Sequence, residues 1–86
     1  DGNLSNLLVN VIPFNLYPNP VNNELFIDTS LTNYNLSIYN MHGQLLIHPF
    51  NYSGSQTFNF NSFPPGMYLL KVITEAKTKV FKILKE

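Results

Sequence analysis

Side chains suited to proton transfer or metal ligation are scarce in these 86 residues. They comprise His42, His48, and the carboxylates Asp1, Glu24, Asp28, Glu75 and Glu86. If the two histidines lay on one strand they would share a face. Six steps at about 3.3 Å would then separate them by roughly 20 Å, too far to share one metal. The chain has no cysteine, so it offers neither a thiolate nucleophile nor a cysteine-ligated zinc or iron-sulfur site. No Gly-x-Ser-x-Gly elbow, His-Glu-x-x-His pair or glycine-rich phosphate loop occurs. The residue inventory points away from an enzyme and implies no metal and no cofactor. His42, followed by Gly43, reads as a turn residue.

The distribution of charge is more informative than its total. Net charge is zero, yet all five lysines fall within residues 71–86, while Asp1, Glu24 and Asp28 are the only charged residues before them. The chain has no Arg, and a short basic end is not the broad, Arg-rich face of a nucleic-acid binder. No apolar run reaches the roughly 18 residues of a membrane span. The first ten residues lack the charged and apolar regions of a signal peptide. With no initiator Met, the chain is expected to be a piece of a longer exported protein. Three Asn-x-Ser sequons, at Asn3, Asn35 and Asn51, are the chance yield of a sequence with 13 Asn.

The elements carrying these residues alternate with period two. Hydrophobic residues make up 44% and charged residues 12%, a balance that excludes disorder and favours one core. Folding a chain of this mass removes roughly 9,000 Å² from water, enough for a core but not for a deep cleft. Leu8 to Phe14 reads as a first, irregular strand, ended by Tyr17-Pro18-Asn19-Pro20. Leu25 and Ile27 face one way, and Leu36 and Ile38 lead through Asn40-Met41-His42-Gly43 into Leu45-Leu46-Ile47. Pro49 to Ser55 reads as a polar loop, and Phe58 and Phe60 as the next apolar face. Ser62-Phe63-Pro64-Pro65-Gly66 is the strongest breaker. After it Tyr68, Leu70 and Val72 face inward, and a turn at Glu75 to Lys77 leads to a last strand, Val80 to Lys85. Seven strands in this length predict an all-β, immunoglobulin-like antiparallel sandwich. Tyr68 then stands where such domains carry a corner tyrosine, two positions before a buried residue, here Leu70.

Three segments in fixed order carry a resemblance: Tyr17-Pro18-Asn19-Pro20 with Leu25 and Ile27, Phe63-Pro64-Pro65-Gly66-Met67-Tyr68, and Lys79-Val80-Phe81-Lys82-Ile83-Leu84-Lys85. Together they resemble the C-terminal sorting domains of the type IX (Por) secretion system of Bacteroidota, over Phe14 to Glu86. The resemblance implies a monomeric, non-catalytic sandwich at the end of a secreted cargo protein. The cargo would enter the periplasm by an ordinary signal peptide. The domain would direct it through the outer-membrane translocon, with a shuttle protein and a sortase-like cysteine peptidase as further partners. That peptidase would remove the domain, leaving the cargo at the cell surface or in the medium. Gly66, Tyr68, Lys79, Lys82 and Lys85 match the family's recognition elements, and Tyr17, Pro18, Asn19 and Pro20 a structural motif. Residues 1–6 match nothing and are expected to be a linker remnant before a domain of residues 7–86.

The competing expectation is an adhesive or carbohydrate-binding sandwich, with Tyr39, Phe50 and Tyr52 as its aromatic platform. For the basic end there are two explanations: lysines that protect an edge strand from unwanted pairing, or a docking strand read by the export machinery.

Overall fold

The computed structural model describes residues 14–75 and 77–86, and the part of the first expected strand before Phe14 lies outside them. Seven strands follow in order: β1 (Phe14–Tyr17), β2 (Glu24–Thr29), β3 (Tyr34–Asn40), β4 (Leu45–Tyr52), β5 (Gln56–Asn59), β6 (Gly66–Ile73) and β7 (Thr78–Lys85). They form two antiparallel sheets, β1-β2-β5 and β4-β3-β6-β7. This is the expected immunoglobulin-like sandwich, with the fourth strand beside the third on the larger sheet.

The period-two pattern sets which face closes on the core. Leu25 and Ile27 of β2 are buried while Glu24, Phe26 and Asp28 are exposed. Leu36 and Ile38 of β3 and Tyr68, Leu70 and Val72 of β6 meet them from the other sheet in one cluster with Val21, Tyr34, Phe58, Phe60 and Ile83. A single layer of aliphatic and aromatic side chains between two sheets is the arrangement that alternation on every strand demands.

The β3–β4 hairpin shows how local chemistry sets a register. Gly43 N–H donates to Asn40 O at 3.1 Å, and Gly43 takes φ +82°, a conformation costly to any residue with a Cβ. The Asn40 carboxamide oxygen accepts from the backbone N–H of both His42 and Gln44 at 2.9 Å. His42 is thus part of the turn, and His48 sits separately on β4.

The polar loop expected from Pro49 is instead strand as far as Tyr52. Pairing of β3 with β4 shifts register between Leu36 and Ile38, where Phe50 and Ile47 stand opposite and one extra residue is taken up on β4. β4 is also an edge strand. Proline's missing N–H is tolerated at an edge or a bulge, and Pro49 occupies both.

Tyr34 links the sheet to the β4–β5 connection, its hydroxyl donating to Gly54 O at 2.6 Å. Gly54 N–H donates in turn to Leu31 O at 2.7 Å. Burial, with a smaller contribution from the neighbouring Tyr52, raises the Tyr34 pKa above its ordinary 10.0. The folded chain therefore holds this proton more tightly than the unfolded chain does. The associated stability is complete below pH 10 and is lost as pH rises through 10 toward the folded value. Tyr34→Phe should cost about 1 kcal/mol at neutral pH and make the alkaline fall in melting temperature shallower, as thermal unfolding across pH 8 to 12 would record.

Candidate functional site

The three sequence segments singled out above converge on the second half of β7. β7 pairs on one side with β6 along its whole length, from Ile73 opposite Thr78 to Gly66 opposite Lys85. Its other side would be a free edge, but the segment after β1 comes alongside it. Asn19 leaves its own carboxamide astride that edge, with Nδ2 donating to Lys82 O at 3.3 Å and Oδ1 accepting from Leu84 N–H at 3.0 Å. Val21 follows with a parallel bridge to Lys85: its N–H donates to Leu84 O at 2.7 Å and its carbonyl accepts from Glu86 N–H at 2.9 Å. Four hydrogen bonds thus seal Lys82 to Glu86, while among the described residues none is made to the outward edge of Thr78 to Phe81.

Proline shapes the segment that makes this seal. Tyr17-Pro18 and Asn19-Pro20 are both cis peptides. With two of four residues unable to donate a backbone hydrogen bond, the Tyr17–Pro20 stretch cannot continue the β1 ladder, and the chain passes to the opposite sheet. Val21, fully buried, anchors it there. Tyr17 remains exposed and stacks on Phe26 at 5.6 Å between ring centroids.

The Pro-Pro-Gly breaker supplies the other wall. The Tyr68 hydroxyl donates to Pro64 O, four residues back, which is the corner arrangement anticipated from sequence. Phe60, Phe63 and Tyr68 form a triangle of rings with centroids 4.9 to 5.8 Å apart, spacings at which aromatic pairs attract beyond their area burial. Gly66 opens β6 at φ +150°, where a Cβ would meet no neighbour but the backbone conformation disfavours one.

Lys85 belongs to this assembly, although edge protection and docking, the two explanations offered for the basic end, would both leave its lysines in solvent. Lys85 is only 8% exposed, and its Nζ donates to Phe63 O at 3.2 Å. It shares the inward parity of Phe81 and Ile83, so its stem lies in the core layer while the ammonium reaches a carbonyl at the rim. Lys82 lies on the outer face, and Lys79, though in phase with Lys85, is exposed at the far end of the strand. The three lysines therefore share no face and form no single basic patch.

The alternative aromatic platform is assembled only in part: Phe50 meets Tyr52 edge-on at 5.3 Å between ring centroids, and Tyr39 lies apart from both. Phe50 is 64% exposed, but Tyr52 packs against Tyr34 and Phe58, and Tyr39 is half-buried, paired with Leu45 at the hairpin end of β3 and β4. An open cleft between the β3–β4 hairpin and the Phe63–Tyr68 segment is lined mainly by apolar atoms, Met41, Phe63 and Pro64 among them. Sequence reasoning singled out Tyr68, Gly66 and the lysines. It did not find the roles of Asn19 and Val21, which depend on a partner more than 60 residues away.

The architecture defines an immunoglobulin-like sandwich whose last strand is gripped on both sides by the segments most distinctive in the sequence. Comparison with protein families matches residues 15–86 to the secretion system C-terminal sorting domain, and the chain belongs to that family of type IX sorting domains. None of the curated proteins compared matches it. The match covers the Tyr17–Pro20 motif, the tyrosine corner and β7 together.

Loss of the seal or the corner should be measurable. Asn19→Ala is expected to cost about 1–2 kcal/mol, for two hydrogen bonds at roughly 0.5–1 each, and to speed hydrogen exchange at the Leu84 amide. Tyr68→Ala should cost about 3–5 kcal/mol as a large buried aromatic. Tyr68→Phe, which keeps the ring packing, should cost about 1 kcal/mol. Equal melting temperatures for the Ala and Phe variants would contradict the corner as drawn.

Proposed function

We propose that this domain is the export signal of a cargo protein in the same precursor, carried to the outer-membrane translocon by a shuttle protein and afterwards removed by a sortase-like cysteine peptidase. The single observation that carries this reading is the family match over residues 15–86. The domain has no catalytic role in it. The cargo crosses the periplasm and ends at the cell surface or in the medium.

The architecture suits such a signal. The terminal strand is held in place by Asn19, Val21, Gly66 and Phe63, all from other parts of the chain, so it is presented in its native form only when the whole sandwich has closed. A receptor that reads β7 then reads completed folding as well. Of the recognition residues, Lys79 and Lys82 are exposed and available for direct contact, whereas Gly66, Tyr68 and Lys85 act by shaping the strand and its support.

Fusion of the chain to a periplasmically exported reporter, in a bacterium with a type IX system, should move the reporter to the surface or medium and release it without the domain. Lys79→Gln with Lys82→Gln should change stability by less than about 0.5 kcal/mol, as exposed substitutions do, and leave the reporter in the periplasm. Lys85 is excluded from that variant because changing it disturbs the fold. Secretion of the double variant at the parental level would show that these lysines are not what the export machinery reads. Retention of the unaltered fusion would refute the sorting reading.

A further inference from the structure

The uneven charge along the sequence becomes a difference between the two outer faces of the sandwich. Glu24 and Asp28 point outward from the three-stranded sheet, together with Phe26. Lys71 of β6 and Lys82 of β7 lie on the outer side of the four-stranded sheet, in register rows with Val80 and Leu69 respectively. Strands β3, β4, β6 and β7 carry no carboxylate; Glu75 is in the β6–β7 turn, and Glu86 follows β7 at its end, four residues beyond Lys82. Around the two lysines, Val80 is 51%, Leu84 41% and Ile73 39% exposed. Large aliphatic side chains left in water on adjacent strands are a surface that gains by being covered.

We propose that this outer β6–β7 face, with Lys71 and Lys82 among Ile73, Val80 and Leu84, is the docking surface for a partner protein presenting carboxylates around an apolar centre. The inference rests on the sorting reading and specifies the chemistry of the receptor. Charge complementarity selects the acidic character, since cationic groups on this face have no carboxylate of their own sheet to answer them. The exposed aliphatics select an apolar centre within an acidic rim. Strand addition cannot use the second half of β7, because Asn19 and Val21 already occupy that edge. Recognition there passes through side chains on the face. A second copy docked by two-fold symmetry would set lysines against lysines. An anionic membrane is normally held by roughly four to eight clustered basic residues, and this face carries two.

The reporter fusion with Lys71→Glu and Lys82→Glu tests the proposal, with Glu24→Lys on the opposite face as control. Thermal unfolding of the purified chain accompanies each variant. The expected result is a parental melting temperature within a few degrees, secretion reduced at least tenfold in the double variant, and normal secretion of the control. If charge reversal unfolds the domain, Val80→Thr with Leu84→Thr keeps strand propensity and should give the same block. Secretion of the folded variants at the parental level overturns the proposal. So does lysine-dependent binding of the purified chain to phosphatidylglycerol vesicles, which would make the ligand a lipid surface. Concentration-dependent self-association abolished by the same substitutions would make it a second copy and overturn it equally. Retention of the parent fusion in the periplasm would instead remove the sorting reading on which the surface depends, an outcome distinct from a block confined to the variants.

Discussion

Closure of the outer edge of β7 by Asn19 and Val21 is the interaction on which the rest of the arrangement depends. An edge strand presents a row of unpaired donors and acceptors and invites pairing with any extended chain. In this domain the edge belongs to the strand that the proposed function makes the signal, and on that reading it must be protected and yet readable. The two demands are met on different parts of one strand. Hydrogen bonds from Asn19 and Val21 seal Lys82 to Glu86, while the outer face, bearing Lys82 and Leu84, stays in solvent.

The same closure substitutes for a covalent staple. The chain has no cysteine, so the two sheets are joined only by the core and by segments that pass between them. Val21, Tyr68, Phe60 and Ile83 lie in one buried cluster, and the ladder between Gly66 and Lys85 ties its backbone. Lys85 completes the end. A charged residue in this position costs desolvation unless its ammonium is bonded, and the Phe63 carbonyl provides that bond. Loss of any one segment therefore loosens the others, which is how the second half of β7 comes to report on the fold as a whole.

Much of this was legible in the sequence, for identifiable reasons. The polar flanks Glu24 and Asp28 around Leu25 and Ile27, and Asn35 and Ser37 around Leu36 and Ile38, indicated which faces are inside, because a one-residue slip would turn each set outward, although Ser37 proves buried as well. The corner tyrosine was legible because its partner, Pro64, is only four residues away. Strand β4 was not, since proline signals a break locally and only the tertiary register shows that the break is absorbed by a bulge at an edge. Lys85 was misread because lysine's usual exposure outweighed its phase with Phe81 and Ile83. Asn19 was read as part of the break that ends the first strand, and its hold on β7 exists only once residues 63 and 65 positions away are brought beside it.

The separation of charge between the sheets has the same long-range origin. Along the sequence it looks like a basic tail, for which edge protection is a sufficient explanation. Folding divides the tail. Lys85 is turned inward as a structural donor, Lys79 is left at the far end, and Lys82 is brought to the same face as Lys71, diagonally across from it on the neighbouring strand. Protection of an edge would require lysines along Thr78 to Phe81, the half of β7 whose outward edge has no hydrogen-bonded partner among the described residues, and there only Lys79 stands. The half that carries Lys82 is already sealed by backbone and carboxamide hydrogen bonds. A lysine on the half of the strand already sealed does nothing for the edge, and the proposed docking face accounts for Lys82 by its place among exposed aliphatics on strands that carry no carboxylate.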